Sequence, residues 1–382
     1  MQTEVIRVKE GRGGAGGLAR AREVLEAGGL VGFPTETVYG LGANAACDGA
    51  LSRLAALKNR PKEKPFTLHL GDKEQVGHYV PDMPLLDRCF VRKALPGPLT
   101  VVFELSVKQL EQVGERFGPA QAEALYYKGS IGIRLPDDAA AAGLLSGLGF
   151  PVVASSANLA GQRPPTSGQE VLEQLEGQIE VLVDGGPTRF SRASTIVRVN
   201  AEGLSVLREG VLDAGAVRRM RTVQVLCVCT GNSCRSPMAE AFFGQALSQK
   251  LGCSVDRLGE KGYKVSSAGM MAWSGSRASS EAVACCQEAG LDISGHRSRP
   301  VTEELLRQSD FVFVMDQSHL DGILALVPDC GSRVAFLSNK GAITDPIGHS
   351  LAEYRGCAER ILASVRERVE EMLGGEACGR GL

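Results

Sequence analysis

The stretch VLCVCTGNSCRSPMAEA, residues 225–241, places Cys229 and Arg235 in a C-x5-R spacing between an apolar run and a helix-forming run. The apolar run predicts a buried strand, and a helix is predicted to begin near Pro237. A loop between a strand and a helix N-terminus can wrap backbone N–H groups around a tetrahedral oxyanion. Asn232 is predicted to adopt or brace a left-handed conformation in this loop. The stretch therefore predicts an α/β layer with an anion-binding loop.

The second half of the sequence continues this alternation of strands and helices. Three segments have the pattern of strands: KVSSAG, DFVFVMD and SRVAFLS. The segment SEAVACCQEAG has the pattern of a helix, and residues 351–373 place apolar side chains on one face of a second helix. These patterns predict a parallel-sheet, flavodoxin-like layer domain closed by a C-terminal helix, over residues 222–382.

The first half predicts a different α/β domain. Short apolar strands such as LVGFPT, LTVVFEL, SIGIRLP, PVVASSA and ASTIVRV alternate with helical stretches such as ALSRLAALKNR. This pattern predicts a twisted mixed sheet with helices packed on it, over residues 1–215. A length of 382 residues also favours two domains. The charged segment DAGAVRRMRT, residues 213–222, is interpreted as the connector.

Composition narrows the class of protein. The formal charge of −2 and the pI near 6.3 give no global attraction for nucleic acid or anionic membranes, so any anion site must be local. Eleven cysteines without paired C-x2-C spacing favour reduced thiols over a disulfide framework or a zinc site. MQTEVIRVKE lacks the apolar core of a signal peptide, and no later run is long and apolar enough to span a bilayer. We therefore expect a cytoplasmic protein.

The loop also carries the chemistry of a thiolate enzyme. A helix N-terminus and Arg235 should lower the pKa of Cys229 and make it a nucleophile, while the planar guanidinium clamps two oxygens of the anion. Asp345, in ITDPIGHS, is a candidate general acid because the following proline rigidifies its loop.

This combination resembles the low-molecular-weight protein phosphatases over residues 222–375. The resemblance implies that Cys229 is the nucleophile, Arg235 binds phosphate and Asp345 is the acid.

The resemblance also implies roles for three supporting residues of the loop. Ser236 would stabilise the thiolate by its hydroxyl, and Asn232 would brace the loop. Cys234 matches a second loop cysteine that can protect Cys229 by forming a reversible disulfide.

The substrate of this half stays open between phosphotyrosine and phosphoarginine. Ile347 and Gly348 stand where tyrosine-directed relatives carry aromatic residues, and Ser233 stands where they often carry an aliphatic one. The arginine-directed branch has a threonine at the position of Ser233, but usually a phenylalanine at that of Ile347. Arsenate reduction is a third alternative and ranks last, because Met315 and Asp316 occupy the region where a further redox cysteine is needed.

The first half offers cations and small polar groups near strand ends, with no convincing nucleophile. Such groups can bind and orient a phosphate-bearing ligand without forming a covalent intermediate. The cations are Lys58, Arg60, Lys64, Arg134 and Arg208. The neutral groups are Thr37, Ser156, Asn158, Thr166 and Ser194.

Five segments of the first half carry a family resemblance when they are taken together: FPTETVYGLGANA, KNRPKEKPFTLHL, SIGIRLP, ASSANLAGQRPPT and DGGPTRFSRASTIV. Through them, residues 5–212 resemble the YrdC-like threonylcarbamoyl-AMP synthases. The resemblance implies synthesis of threonylcarbamoyl-AMP and pyrophosphate from L-threonine, bicarbonate and ATP, for N6-threonylcarbamoyladenosine at tRNA position 37. The implied threonine-binding residues are Thr37, His69, Arg134, Ser156 and Ser194. The implied ATP-binding residues are Lys58, Arg60, Lys64, Ser130, Asn158, Thr166 and Arg208.

The implied partners are small molecules in the first half and a phosphoprotein in the second. ATP is a substrate that would bring Mg²⁺ with it, and no tightly bound cofactor or metal site is expected. A downstream tRNA-modifying transferase is implied, whereas direct contact with tRNA stays open. Two alternatives remain for the first half: His69 as a core histidine bonded only to backbone, and the whole domain as an RNA-binding module.

Overall fold

A computed structural model describes residues 2–8, 15–61 and 66–374. The chain divides into two compact units, Met1–Met83 with Phe90–Met220, and Pro84–Cys89 with Arg221–Leu382. Within the described ranges, no helix combines the length and the apolar character needed to cross a bilayer.

The first unit is built on a mixed sheet. Its strands, in chain order, are β1 Glu4–Arg7, β2 Val31–Phe33, β3 Gly40–Asn44, β4 Thr67–His69, β5 Leu99–Glu104, β6 Ser130–Arg134, β7 Val152–Ser156, β8 Val181–Asp184, β9 Thr195–Asn200 and β10 Gly203–Arg208. The spatial order is β1-β8-β2-β3-β7-β4-β6-β5-β9-β10. The sheet contains both parallel pairs, such as β4 with β6, and antiparallel pairs, such as β5 with β6. The prediction of a mixed sheet is confirmed.

Helices up to residue 220 connect these strands. They are α1 Ala15–Glu26, α2 Asp48–Leu57, α3 Val76–Tyr79, α4 Leu85–Ala94, α5 Val107–Phe117, α6 Pro119–Leu125, α7 Ala139–Leu145, α8 Gly168–Leu175 and α9 Ala214–Met220. Short polar side chains cap several of them: Ser106 and Gln109 form a capping box on α5, and Asp138 caps α7. Helix α9 lies within residues 213–222, the segment interpreted as the connector. Asp213 accepts a hydrogen bond from the Ala216 N–H, and Val217 is buried.

The second unit contains a separate, all-parallel sheet. Its strands are β11 Val223–Cys229, β12 Tyr263–Gly269, β13 Phe311–Val314 and β14 Val334–Phe336, in the order β12-β11-β13-β14. Its helices are α10 Arg235–Leu251, α11 Ser280–Glu288, α12 Glu303–Gln308, α13 Gln317–Leu326 and α14 Leu351–Gly374. The predicted parallel layer and closing helix are confirmed, and α10 begins two residues before the predicted start at Pro237.

Both faces of the second sheet are buried because alternate residues of β11 pack on different helices. Val225 and Cys227 lie in one cluster with Phe242 of α10 and Ile361 of α14. Leu226 and its neighbours pack in a second cluster, against residues of α12 and α13. Since parallel strands all end at the same edge, the loops after β11, β13 and β14 come together there.

Candidate functional sites

In the first unit, three polar residues lie in register on adjacent strands. Arg134, at the end of β6, is paired with His69 of β4 on one side and Thr100 of β5 on the other. Residues directly opposite each other on paired strands project from the same face of a sheet. The Thr100 hydroxyl lies 3.1 Å from the Ser194 hydroxyl, at the start of the next strand region. The sheet itself therefore places Arg134, His69 and Ser194 together.

Arg134 is buried and held by the segment that precedes β3. Its Nη2 donates to Thr35 Oγ1 at 3.0 Å and to Thr37 Oγ1, and it lies 3.3 Å from Glu36 Oε1. Burial raises the pKa of Glu36, and the neighbouring Arg134 charge opposes that rise. Arg134 Nε makes no hydrogen bond within the part of the chain that the structure describes. The guanidinium is thus fixed on one side and retains donor capacity.

A cavity of about 220 Å³ opens beside this arginine. Its lining brings together six of the predicted residues: Arg60, His69, Arg134, Ser156, Ser194 and Arg208. Burial lowers the pKa of both Arg60 and Arg208, and Arg208 Nη2 donates to the Ser194 carbonyl at 2.7 Å. Three guanidinium groups, those of Arg60, Arg134 and Arg208, line this cavity, and such a lining suits an anionic ligand.

The surroundings of His69 have features of both alternatives, the core histidine and the residue that faces a ligand site. Its Nδ1 lies 2.9 Å from the Thr67 carbonyl, as expected of a core histidine, yet the residue also lines the cavity. Because a carbonyl can only accept, Nδ1 carries the proton and Nε2 is the acceptor of the neutral ring. Burial, with help from the Arg134 charge, lowers the pKa of His69 to about 3. The imidazole is therefore neutral at physiological pH.

Lys58 and Asn158 brace the site. Lys58 Nζ donates to the carbonyl oxygens of Ser156 and Asn158 at 3.1 and 2.8 Å, and to Asn158 Oδ1 at 3.0 Å. Burial, followed by repulsion from Arg60, lowers the pKa of Lys58 to about 8. These contacts fix the chain where β7 ends.

The other predicted residues stand apart from the described cavity lining. Thr37 reaches it through Arg134. The Ser130 hydroxyl, at the opposite end of β6, donates to the Tyr127 carbonyl at 2.8 Å. Thr166 Oγ1 donates to Glu170 at 3.1 Å. Lys64 lies outside the described residues. The ligand-binding roles of all these residues stay predictions.

Thr35, Glu36 and Thr100 also belong to this site and were not singled out from the sequence. The sequence does indicate that Glu36 is unusual, because an acidic residue within the apolar run GFPTETVYG needs a partner if it is buried. The partner itself is not readable from sequence, since Arg134 lies 98 residues away.

In the second unit, the predicted anion loop joins the end of β11 to the start of α10. Asn232 has a φ of 54°, the left-handed conformation that the sequence predicts. Its Nδ2 donates to Ser236 Oγ and Ser267 Oγ, both at 2.9 Å, and its Oδ1 accepts from the Arg299 N–H at 2.9 Å. His296 Nε2 lies 2.8 Å from the Asn232 carbonyl. The loop is thus held from both sides.

Cys229 is buried at the base of this loop. Its Sγ lies 3.0 Å from Ser236 Oγ and accepts from the Asn232 N–H at 3.3 Å. Burial raises the pKa of the Cys229 thiol, while Ser236 first, and then Arg235 and Asn232, act to lower it. The prediction of a lowered pKa is therefore wrong for this arrangement, because desolvation outweighs the favourable contacts.

Arg235 is buried and joins the loop to three other segments. Nη1 donates to Asp316 Oδ2 at 3.2 Å and to the Ile343 carbonyl at 3.0 Å. Nη2 donates to Thr230 Oγ1 at 3.2 Å and to Asp345 Oδ2. Arg235 Nε is buried with no hydrogen-bond partner among the described residues. The structure therefore brings the predicted phosphate binder and the predicted acid into direct contact.

Cys234 faces a different environment from Cys229. Its Sγ lies 3.2 Å from the Tyr354 hydroxyl and 3.4 Å from Ser279 Oγ, and both cysteines are reduced. Ser233 Oγ lies 3.6 Å from the same sulfur. The redox role of Cys234 stays a prediction.

Several further residues lie near the loop, and of these Thr230, His319, Met271 and Trp273 were not singled out from the sequence. Thr230 and His319 contact each other at 2.9 Å, and Asp316 contacts Arg235. Three large apolar side chains are exposed on nearby loops: Met271, Trp273 and Ile347. The first two belong to a loop whose backbone N–H groups at 270 and 271 donate to the carbonyls of Cys229 and Thr230.

Family models match both halves of the chain. The Sua5/YciO/YrdC model, described as "Telomere recombination", matches residues 23–210. The model for low molecular weight phosphotyrosine protein phosphatase matches residues 224–375.

Individual relatives match one half or the other. The threonylcarbamoyl-AMP synthase of Bacillus subtilis is 33% identical over 193 residues, which are 50% of this chain and 53% of that protein. A Mycobacterium tuberculosis relative is 32% identical over 194 residues, 51% of this chain and 84% of its own length. The chain spans about half the length of the first curated relatives it matches.

Among solved structures, a low molecular weight protein tyrosine phosphatase from T. tengcongensis is 35% identical, with 39% of this chain and 99% of that chain covered and a TM-score of 0.35. The chain belongs to the Sua5/YciO/YrdC family through its first half, and its second half matches the model of the low molecular weight phosphotyrosine protein phosphatases.

Proposed function

We propose that the chain is a bifunctional enzyme that synthesises threonylcarbamoyl-AMP in its first unit and hydrolyses a phosphorylated protein side chain in its second. The observation that carries this proposal is that each unit gathers a site of its own. The first has Arg134, His69 and Arg208 around one cavity. The second has Cys229 and Arg235 in one loop, with Asp345 bound to the arginine.

The first site suits condensation of an amino acid with a nucleotide. Arg134, with its Nε available, would bind the carboxylate of L-threonine beside the neutral His69. Arg60 and Arg208 would counter the negative charge of ATP and of the departing pyrophosphate. Bicarbonate supplies the carbamoyl carbon. Positioning and electrostatics alone would then catalyse the reaction.

Magnesium would enter as part of the ATP substrate. Among residues 2–8, 15–61 and 66–374, no three acidic, histidine or cysteine side chains cluster in a way that could hold a metal ion. The product would serve a tRNA-modifying transferase, which is a separate partner.

The second site suits transfer of a phosphoryl group to sulfur. The Cys229 thiol would release its proton to solvent, and the thiolate would attack phosphorus and break its bond to the leaving oxygen or nitrogen, while Arg235 Nε and the loop N–H groups bind the equatorial oxygens. Asp345 would give its proton to the leaving oxygen or nitrogen and then deprotonate the water that hydrolyses the phosphocysteine. We propose a phosphotyrosine or phosphoarginine substrate, because exposed Trp273 can stack on either a phenol or a guanidinium.

One experiment tests the first activity. The chain is incubated with ATP, bicarbonate and labelled L-threonine, and threonine-dependent pyrophosphate and adenylate are measured. We expect product from the wild type, a loss of at least tenfold in Arg134→Ala, and no loss in Arg198→Ala, which removes an exposed cation of the same unit. Absence of threonine-dependent product from the wild type would contradict the synthase assignment.

A paired assay tests the second activity and its substrate. Matched peptides carrying phosphotyrosine or phosphoarginine are incubated with wild type, Cys229→Ser and Cys253→Ser, the last a half-buried cysteine outside the loop. We expect Cys229→Ser alone to abolish turnover, and the ratio of kcat/KM values to identify the substrate. Equal activity in wild type and Cys229→Ser would remove this cysteine from the mechanism.

A further inference from the structure

Three side chains, those of Thr230, Asp316 and His319, form a network with the guanidinium of Arg235. Thr230 Oγ1 accepts from Arg235 Nη2 at 3.2 Å, and Asp316 Oδ2 accepts from Arg235 Nη1 at 3.2 Å. His319 lies beside both, with Nε2 at 2.9 Å from Thr230 Oγ1 and Nδ1 at 3.1 Å from Asp316 Oδ1; the second contact is close but lacks the geometry of a hydrogen bond. We call these four residues the arginine network.

The direction of the contacts in this network follows from the charges. Thr230 Oγ1 accepts a hydrogen bond from Arg235, so its own proton is available for another acceptor. An unprotonated Nδ1 so close to the Asp316 carboxylate would be repelled, and the His319 proton therefore lies on Nδ1. Nε2 is then the acceptor, and the Thr230 hydroxyl donates to it.

The surroundings keep His319 neutral. The side chain is almost fully buried, at 3% exposure. Burial lowers the pKa of His319, and Arg235 acts in the same direction, whereas Asp316 and Asp345 oppose them. A neutral ring preserves the acceptor that the Thr230 hydroxyl needs.

We infer that His319 is a positioning residue for phosphate binding: through Thr230 it fixes the Arg235 guanidinium so that Nε faces the incoming oxyanion. This inference rests on the proposed phosphatase function. Asp316 and the Ile343 carbonyl both hold Nη1 and so leave Nη2 to other partners. One of those partners, Asp345, would have to leave Nη2 when a substrate binds. Thr230 holds the second nitrogen, and His319 fixes the hydroxyl of Thr230. Two separated contacts define the plane of a guanidinium.

The reach of an amide side chain provides the test. Gln places its amide where His319 Nε2 lies and can still contact Thr230, whereas Asn reaches only as far as Nδ1, on the Asp316 side. We therefore compare His319→Gln with His319→Asn, and Thr230→Val with Thr230→Ser, in the full chain. Tungstate affinity is measured by calorimetry, phosphopeptide kcat/KM by turnover, and folding by thermal unfolding.

We expect His319→Asn and Thr230→Val each to weaken tungstate binding and kcat/KM by roughly fivefold to tenfold, the loss of one hydrogen bond. Gln and Ser should lose less. The double variant Thr230→Val/His319→Asn should lose no more than either single variant, because both remove the same contact. The melting temperatures of the Gln and Asn variants should agree, which separates positioning from folding.

Three results would overturn the inference: equal losses in His319→Gln and His319→Asn, additive losses in the double variant, or unchanged tungstate affinity in His319→Asn. Tungstate binding needs no turnover, so it tests the arginine network independently of the substrate. A wild-type chain that binds tungstate but hydrolyses neither phosphopeptide would instead contradict the proposed function.

Discussion

Asp345 and Arg235 form an ion pair, so that in this structure the predicted general acid is bound to the predicted phosphate-binding residue. The Arg235 side chain is 3% exposed, whereas that of Asp345 is 34% exposed. The carboxylate therefore occupies donor capacity that a phosphate would otherwise use. In the proposed mechanism, a substrate must displace Asp345 from Arg235 before Asp345 can protonate a leaving group.

Asp345→Asn should consequently change binding and turnover in opposite directions. Loss of the acid should lower kcat by about 10²–10⁴-fold for substrates with poor leaving groups. Loss of the competing charge should strengthen tungstate binding, because Arg235 no longer pairs with a carboxylate. Turnover of aryl phosphates and tungstate calorimetry measure the two effects. Weaker tungstate binding in Asp345→Asn would show that the ion pair prepares the site and does not compete with the ligand.

Ser236→Ala should make Cys229 less reactive. Ser236 is the strongest of the contacts that oppose the effect of burial on the Cys229 pKa. Its removal should raise that pKa further, so alkylation by iodoacetamide at pH 7 should slow and reach its plateau only at higher pH. Mass spectrometry of the peptide containing residue 229 follows this sulfur separately from the other cysteines. An unchanged pH profile would rule out stabilisation of the thiolate by Ser236.

His69 should remain neutral well into the acidic range. An unfolded chain binds a proton at this residue near pH 6.5, whereas the folded chain does so only near pH 3. Its contribution to stability is therefore present above about pH 6.5 and is lost as the pH falls towards 3. Nitrogen-15 NMR of the imidazole should show the neutral form at pH 5, with His69→Gln assigning the signal. An imidazolium spectrum at pH 5 would contradict this environment.

Substitutions in the buried pair of Arg134 and Glu36 should affect the stability of the fold and the synthase activity differently. Arg134→Met leaves a buried carboxylate without its cation, which typically costs ~3–5 kcal/mol of unfolding free energy. Adding Glu36→Gln removes the unpaired charge and should restore most of that stability, but not threonine-dependent synthesis. Urea unfolding and the adenylate assay measure the two properties. Recovery of activity in the double variant would show that Arg134 serves only the fold.

Local patterns predict much of the fold and of the phosphate loop. The C-x5-R spacing, the strand before it and the left-handed Asn232 all depend on neighbouring residues, and the structure contains them. Strand periodicity likewise locates most strands of both sheets. Short strands such as GLGAN, which forms β3, carry no alternation of apolar and polar residues and were not identified.

The parts of the sites that were missed depend on contacts between distant residues. His319 meets Thr230 across 89 positions, and Glu36 meets Arg134 across 98. Lys58 was assigned to nucleotide charge, but its position against the Asn158 and Ser156 carbonyls depends on how β7 ends. The pKa of Cys229 was misjudged because its sign depends on burial, which the motif does not specify.

We propose that one chain carries two independent active sites, each built from the residues of one unit. Reciprocal variants of the full chain test this most directly: Arg134→Ala and Cys229→Ser, each assayed for threonine-dependent adenylate formation and for phosphopeptide hydrolysis. We predict that Arg134→Ala loses only the first activity and Cys229→Ser only the second. Loss of both activities in either variant, or retention of the targeted activity, would contradict the account.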